Sequence, residues 1–110
     1  RPDETGDPLA ALADAYGRVW LNTGLEHRER VIRGIAASLA ADGVVFHSNR
    51  SCKPYSFGQD EIAARLKANG IPCIVMEADM ADERDFAEAR WRTRLDAFLE
   101  RIEADHGRER

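Results

Sequence analysis

Two short, unbroken apolar runs limit what this chain can fold into more than any other feature: GVVF (43–46) and IPCIVMEAD (71–79), with a helical stretch, IAARLKANG (62–70), between them. A continuous β-branched run without polar alternation is the pattern of a strand buried on both faces, and such strands belong to parallel sheets covered by helices. A parallel pair needs a crossover, and the 62–70 stretch supplies one, with Ile62 and Leu66 a turn apart and Gly70 as its stop. That crossover should be right-handed. Pro72 fits only at the very start of the second strand, because proline has no N–H for a ladder.

Upstream of the first run the period is helical. Asp7 followed by Pro8 reads as an N-cap with proline at the first helical position, and Leu9, Leu12, Ala13, Tyr16 and Trp20 recur at helical spacing. Gly24 should end or kink this helix. A second, over 25–41, puts Ile32, Ile35, Ala36 and Leu39 on one stripe, with Glu26, Arg28, Glu29, Arg30 and Arg33 facing water and Gly43 at its C′ position. After the second run Asp82 should cap a last helix with Trp91, Leu95, Phe98, Leu99 and Ile102 inward; Trp20 and Trp91 read as core. Residues 1–7 read as a loose N-terminal segment, 8–103 as one α/β lobe and 104–110 as a fraying tail.

The fold class is therefore α/β, a flavodoxin/Rossmann-like lobe with parallel strands and flanking helices, two strands evident in this chain and an N-terminal helical segment. Two strands expose two edges, so further strands are expected from another segment of a longer protein, a second copy or a partner. With 110 residues the chain holds one modest core. Sixteen basic and twenty acidic residues, intermixed, give a net charge of −4, which argues against nucleic acid and anionic membrane surfaces. No apolar run is long enough to span a bilayer, and no secretory pattern opens the chain. Two cysteines without an export signal favour free thiols in a reducing compartment, so the expected location is cytoplasmic.

In open parallel sheets ligands collect outside the carboxyl ends of the strands. Both polar loops, 47–56 and 77–82, leave strands at that edge and should be neighbours. The first lies in HSNRSCKPYSFGQ (47–59). Cys52, close to a helix start and flanked by Arg50 and Lys53, sits where a thiolate is favoured. A thiolate can be a nucleophile, a redox thiol or a metal ligand. His47 is the available base, no C-x-x-C is present, and one cysteine does not make a self-contained metal site. His47 and Ser48 are candidate catalytic groups; Ser48, Asn49, Arg50, Lys53 and Tyr55 are candidate substrate contacts. The plainer readings are a strand-end hydrogen bond for His47, turn-satisfying polar groups for Ser48, Asn49 and Ser51, solvated charges for Arg50 and Lys53, and loop stiffening for Pro54 and Tyr55. Glu77 and Asp79 read as caps before acid–base groups.

The stretch from GVVFHSNRSCKPYS through IPCIVMEAD to TRLDAFLERI closely resembles the C-terminal part of the 2-hydroxyacyl-CoA dehydratase / benzoyl-CoA reductase family of iron–sulfur subunits, over about residues 14–103. The resemblance implies subunits several times longer than this chain, built from α/β lobes and paired as related heterodimers. It implies a [4Fe–4S] cluster held through three cysteines, of which Cys52 matches the last; the other two would lie in lobes outside this sequence. Cys73 stands where members commonly carry an aliphatic residue. The family takes single electrons from a separate ATP-hydrolysing iron–sulfur activator and passes them to an acyl-CoA thioester. Dehydratases then expel the 2-hydroxyl through a ketyl radical, and reductases reduce an aromatic ring. By ligand count the chain alone should carry no cluster and show no turnover. The alternative is a non-catalytic CoA- or nucleotide-binding or assembly lobe, against which stands the lack of a Gly-rich phosphate loop.

Overall fold

The computed structural model describes residues 6–108. Two helices open it, α1 (Pro8–Gly17) and α2 (Leu25–Ser38). Two strands, β1 (Val44–Asn49) and β2 (Cys73–Ala78), pair in parallel with Val44 opposite Cys73 and Asn49 opposite Ala78. They are joined by a single-turn helix, α3 (Lys53–Ser56), and by α4 (Gln59–Ala68). The last helix, α5 (Glu88–Arg108), follows a 3-10 turn at Glu83–Asp85. This is the α/β arrangement that the two apolar runs predict.

The core lies between the sheet and α4. Phe46, Ile62, Ala63, Leu66 and Cys73 are buried together, with Leu25, Ile32, Val44, Ile71 and Val75 packed around them. Leu66 is fully buried, a placement that contributes roughly 1.5–3 kcal/mol over leaving it in water. Side chains alternate along a strand, so Val45 and His47 point to the opposite face, as does buried Met76 across from His47. α5 lies over that face. Its close approach depends on Gly43, where a Cβ would stand 2.8 Å from Phe98 Cζ and 2.9 Å from Ile102 Cδ1.

The ladder also decides which backbone groups face outward. Val44 N–H donates to the Pro72 carbonyl and Arg50 N–H to Ala78, so even-numbered positions of both strands bond across the pair and odd-numbered ones face the two edges. On the β2 edge, Arg94 donates to the Val75 carbonyl (2.9 Å) and Trp91 Nε1 to Glu77 (3.2 Å). Side chains of α5 thus take two of the outward carbonyls of that edge. On the β1 edge the upper part is closed from within: Gln59 Nε2 donates to the His47 carbonyl, and Ser56 bonds Asn49.

Several expectations are corrected. The first helix stops at Gly17, a 3-10 turn over Trp20–Asn22 follows, and Gly24 is the N-cap of α2. α2 ends at Ser38, and its left-handed C′ residue is Ala40 (φ 48°), not Gly43: Ala41 N–H reaches the Ala36 carbonyl and Ala40 N–H reaches Ala37. Arg28 does not face water; it is 5% exposed. Ile35, Leu39 and Leu99, placed inward by periodicity, are exposed, as are Leu9, Leu12 and Tyr16 of α1. Among the described residues these stripes are covered only in part. Trp20 and Trp91 are only half-buried. β1 and β2 run on through His47–Asn49 and Glu77–Ala78, so part of each polar loop is strand. Asp82 caps the 3-10 turn rather than α5, and positions 104–108 continue that helix; the last two residues of the stretch read as a fraying tail lie outside the described residues. Gly6 and Asp7 are described, with Asp7 Oδ1 capping α1; the rest of the segment read as loose lies outside the described residues.

Candidate functional site

The loop after β1 is held by a local clamp. Asn49, 2% exposed, ends the strand; its N–H donates to Ser56 Oγ at 2.7 Å, and the Ser56 hydroxyl donates to the Asn49 carbonyl at 2.9 Å. The Asn49 side-chain oxygen accepts from both the N–H (3.3 Å) and the hydroxyl (3.0 Å) of Ser51. Cys52 N–H closes on the Asn49 carbonyl at 3.3 Å, and Cys52 occupies the N-cap position of α3. The helix it opens is a single turn, so few peptide dipoles align behind it, fewer than the sequence suggests. Pro54 is placed in the first turn, where its missing N–H costs nothing.

The loop after β2 joins this clamp. Asp79 Oδ1 accepts from Ala81 N–H (2.8 Å) and Asp82 N–H (3.2 Å). Those backbone donors, Ala81 first, and the Ser51 hydroxyl hold the Asp79 carboxyl below its usual range. Arg50 and Glu77 form a half-exposed ion pair at 3.4 Å. The two loops are neighbours, as the parallel topology requires.

The candidate residues divide between two faces. His47 lies on the α5 side, its ring edge-on to Trp91 with centroids 6.2 Å apart, whereas Ser48, one residue on, belongs to the α4 side. The strand therefore does not bring these two together. Arg50 and Lys53 are exposed, Cys52 is half-buried, and Tyr55 lines a cavity of about 240 Å³ along the outer edge of β1, with Trp20, Arg28, Ile32, Phe57 and Gln59 among its other walls. Arg28 crosses this region, donating to the carbonyls of Trp20 (3.1 Å), Leu21 (3.0 Å) and Phe57 (3.3 Å), with its guanidinium 5.5 Å from the Trp20 ring centroid. The sequence reading missed Ser56, Gln59 and Arg28. Ser56 and Gln59 lie within the loop stretch, but their partners follow only from the turn.

The two thiols differ. Cys73 is buried, donates to the Ile71 carbonyl, and has its pKa pushed up by burial; Cys52 sits on the loop, and both are unbridged. Among the described residues no group of three or more His, Cys, Asp or Glu side chains could hold a metal ion. Cys52 is the one loop thiol among the described residues.

The fold is thus an α/β lobe that presents one thiol, Cys52, on a braced loop at the carboxyl edge of its sheet. Residues 1–102 match the family model described as 2-hydroxyglutaryl-CoA dehydratase, D-component, and the chain belongs to that family. It is 38% identical over 104 residues to the lactoyl-CoA dehydratase subunit alpha of Anaerotignum propionicum, a match covering 94% of this chain and 25% of that one. Identity is also 38% over 98 residues to (R)-2-hydroxyglutaryl-CoA dehydratase, subunit alpha, of Acidaminococcus fermentans, covering 88% and 20% of the two chains. With one of the subunits of the Thauera aromatica benzoyl-CoA reductase it is 29% over 101 residues, covering 91% and 23%. The chain spans about a quarter of the length of these curated relatives. Among the described residues no helix is long and apolar enough to cross a membrane.

Proposed function

We propose that this lobe supplies Cys52 as one thiolate ligand of an iron–sulfur cluster in a longer subunit that dehydrates a 2-hydroxyacyl-CoA or reduces an aryl-CoA thioester. The observation that carries the reading is the contrast between the two thiols: Cys52 stands half-buried on a loop braced by Asn49 and Ser56, while Cys73 is sequestered in the core. When bound, such a cluster supplies single electrons at low potential.

The chain's own residues prepare that ligand. The Asn49–Ser56 clamp fixes the backbone on either side of Cys52, and Ser51, tied to Asn49 and Asp79, fixes the residue before it. Arg50 and Lys53 add positive charge to the same loop, Arg50 paired with Glu77 across to the second loop. Tyr55 stands beside the cavity on the outer edge of β1, available to the substrate side. The remaining ligands come from other lobes of the same subunit; a related subunit, an ATP-hydrolysing activator and an acyl-CoA complete the proposed system, in the reducing cytoplasm.

The test is made on the longer subunit prepared without oxygen. Cys52→Ala should lose iron and the low-temperature EPR signal along with turnover, while Cys73→Ala keeps both. Full iron in Cys52→Ala, with loss in Cys73→Ala, would move the site to β2.

A further inference from the structure

A small cavity of about 60 Å³ lies between the carboxyl end of β2 and the first turn of α5, walled by Arg50, Glu77, Ala87, Arg90, Trp91 and Arg94. Three guanidiniums meet there in a chain whose net charge is −4. Arg90 and Arg94 are four residues apart on α5, so two like charges share one face a turn apart, an arrangement that destabilises a helix. Elsewhere α5 follows the opposite rule: Arg92 pairs with Glu88 at 2.9 Å and Arg101 with Asp105 at 4.0 Å, both at i,i+4 spacing. Phe86 and Ala87 occupy the positions a turn before Arg90, where a carboxylate would answer it. Among the described residues Arg90 makes no ion pair, and the one carboxylate in the cavity wall, Glu77, pairs with Arg50 at 3.4 Å.

We infer that this cavity binds a single phosphate group, as the free ion or as the terminal group of a monoester. Size excludes larger occupants: about 60 Å³ holds a compact ion, whereas pockets for drug-sized ligands begin at about 300 Å³. Donor geometry favours phosphate over carboxylate, because three guanidinium forks match three terminal oxygens and a carboxylate offers two. Part of the ordering is already in place. Arg94 donates to the Val75 carbonyl at 2.9 Å, which fixes its direction, and a guanidinium carries five N–H groups, so one carbonyl does not exhaust it. Trp91 is fixed in turn by its bond to the Glu77 carbonyl. A bound dianion would neutralise the Arg90 and Arg94 charges that α5 itself leaves uncompensated. The inference is independent of the role of Cys52.

Calorimetric titration of the longer subunit with inorganic phosphate, at constant ionic strength with chloride as the balancing anion, tests it. Saturable binding that Arg90→Gln weakens about tenfold or more is the expected result, since a charge-assisted donor is lost. Arg90→Lys keeps the charge without the fork and should fall between the two. Arg92→Gln removes the same charge from a position paired with Glu88 and outside the cavity wall, and should bind as wild type does. No saturable binding by wild type, binding untouched by Arg90→Gln, or an equal loss in Arg92→Gln overturns the inference. Methyl phosphate separates the two sources. Competition with inorganic phosphate assigns the cavity to an esterified phosphate whose organic part stays outside, and failure to compete assigns it to the free ion.

Discussion

Asn49 and Ser56 hold each other by a reciprocal pair of hydrogen bonds, N–H to hydroxyl at 2.7 Å and hydroxyl to carbonyl at 2.9 Å, across the loop that carries Cys52. Ser56→Ala strands the buried Asn49 N–H and should cost about 1–3 kcal/mol, whereas Ser56→Thr keeps the hydroxyl and recovers most of it. Urea denaturation of the variants measures this. If the proposed role of Cys52 holds, Ser56→Ala should also loosen iron retention in the longer subunit.

Arg28 is the other hidden brace. Replacing it with Met leaves the carbonyls of Trp20, Leu21 and Phe57 without their donor, at a cost on the order of 3 kcal/mol. Lysine should rescue only part of the loss, because one ammonium cannot span three carbonyls that a planar guanidinium reaches. Chemical denaturation of Arg28→Met and Arg28→Lys side by side gives the ranking.

The pH dependence has a defined sign on the acid side. Asp79 has its folded pKa lowered by the Ala81 N–H, the Ser51 hydroxyl and the Asp82 N–H, and Asp82 has its own lowered by Arg84. A carboxyl depressed on folding contributes stability above its unfolded pKa, about 3.9, and loses it as pH falls through the folded value. Melting temperature should therefore drop below pH ~4. Asp79→Asn should flatten that acid limb, and its curve should converge with wild type at the lowest pH.

Ala40 sits at φ 48° in the turn that ends α2, a conformation that a Cβ disfavours. The neighbouring bonds from Ala40 and Ala41 keep it there. Ala40→Gly should stabilise the chain by about 1 kcal/mol. A thermal melt that shows no gain would mean that the added freedom of glycine in the unfolded chain offsets the relief.

What the sequence disclosed, and what it did not, follows from where each signal resides. GVVF and IPCIVM are visible as strands because burial on both faces demands continuous apolar residues. The extension of β1 through His47, Ser48 and Asn49 is invisible to that criterion, since a ladder is made by backbone groups whatever the side chains. Periodicity marked Leu12, Ile35 and Leu99 as surfaces to cover, but a pattern says nothing about what covers them. Arg28 was read as solvated because a charged residue in a helix usually is; three carbonyls brought together by a 3-10 turn and a distant loop reverse that. Within the site, the residue types around Cys52 were legible and their partners were not: Asn49 meets Ser56 only once α3 has turned back.

Trp91 and Arg94, in taking up the outward carbonyls of β2, have a consequence for how this fold can go wrong. A strand arriving at the β2 edge would find two of that edge's acceptors already engaged by side chains of α5 and would have to displace them before it could pair. The helix thus acts as a guard against edge-to-edge association on its own side of the sheet.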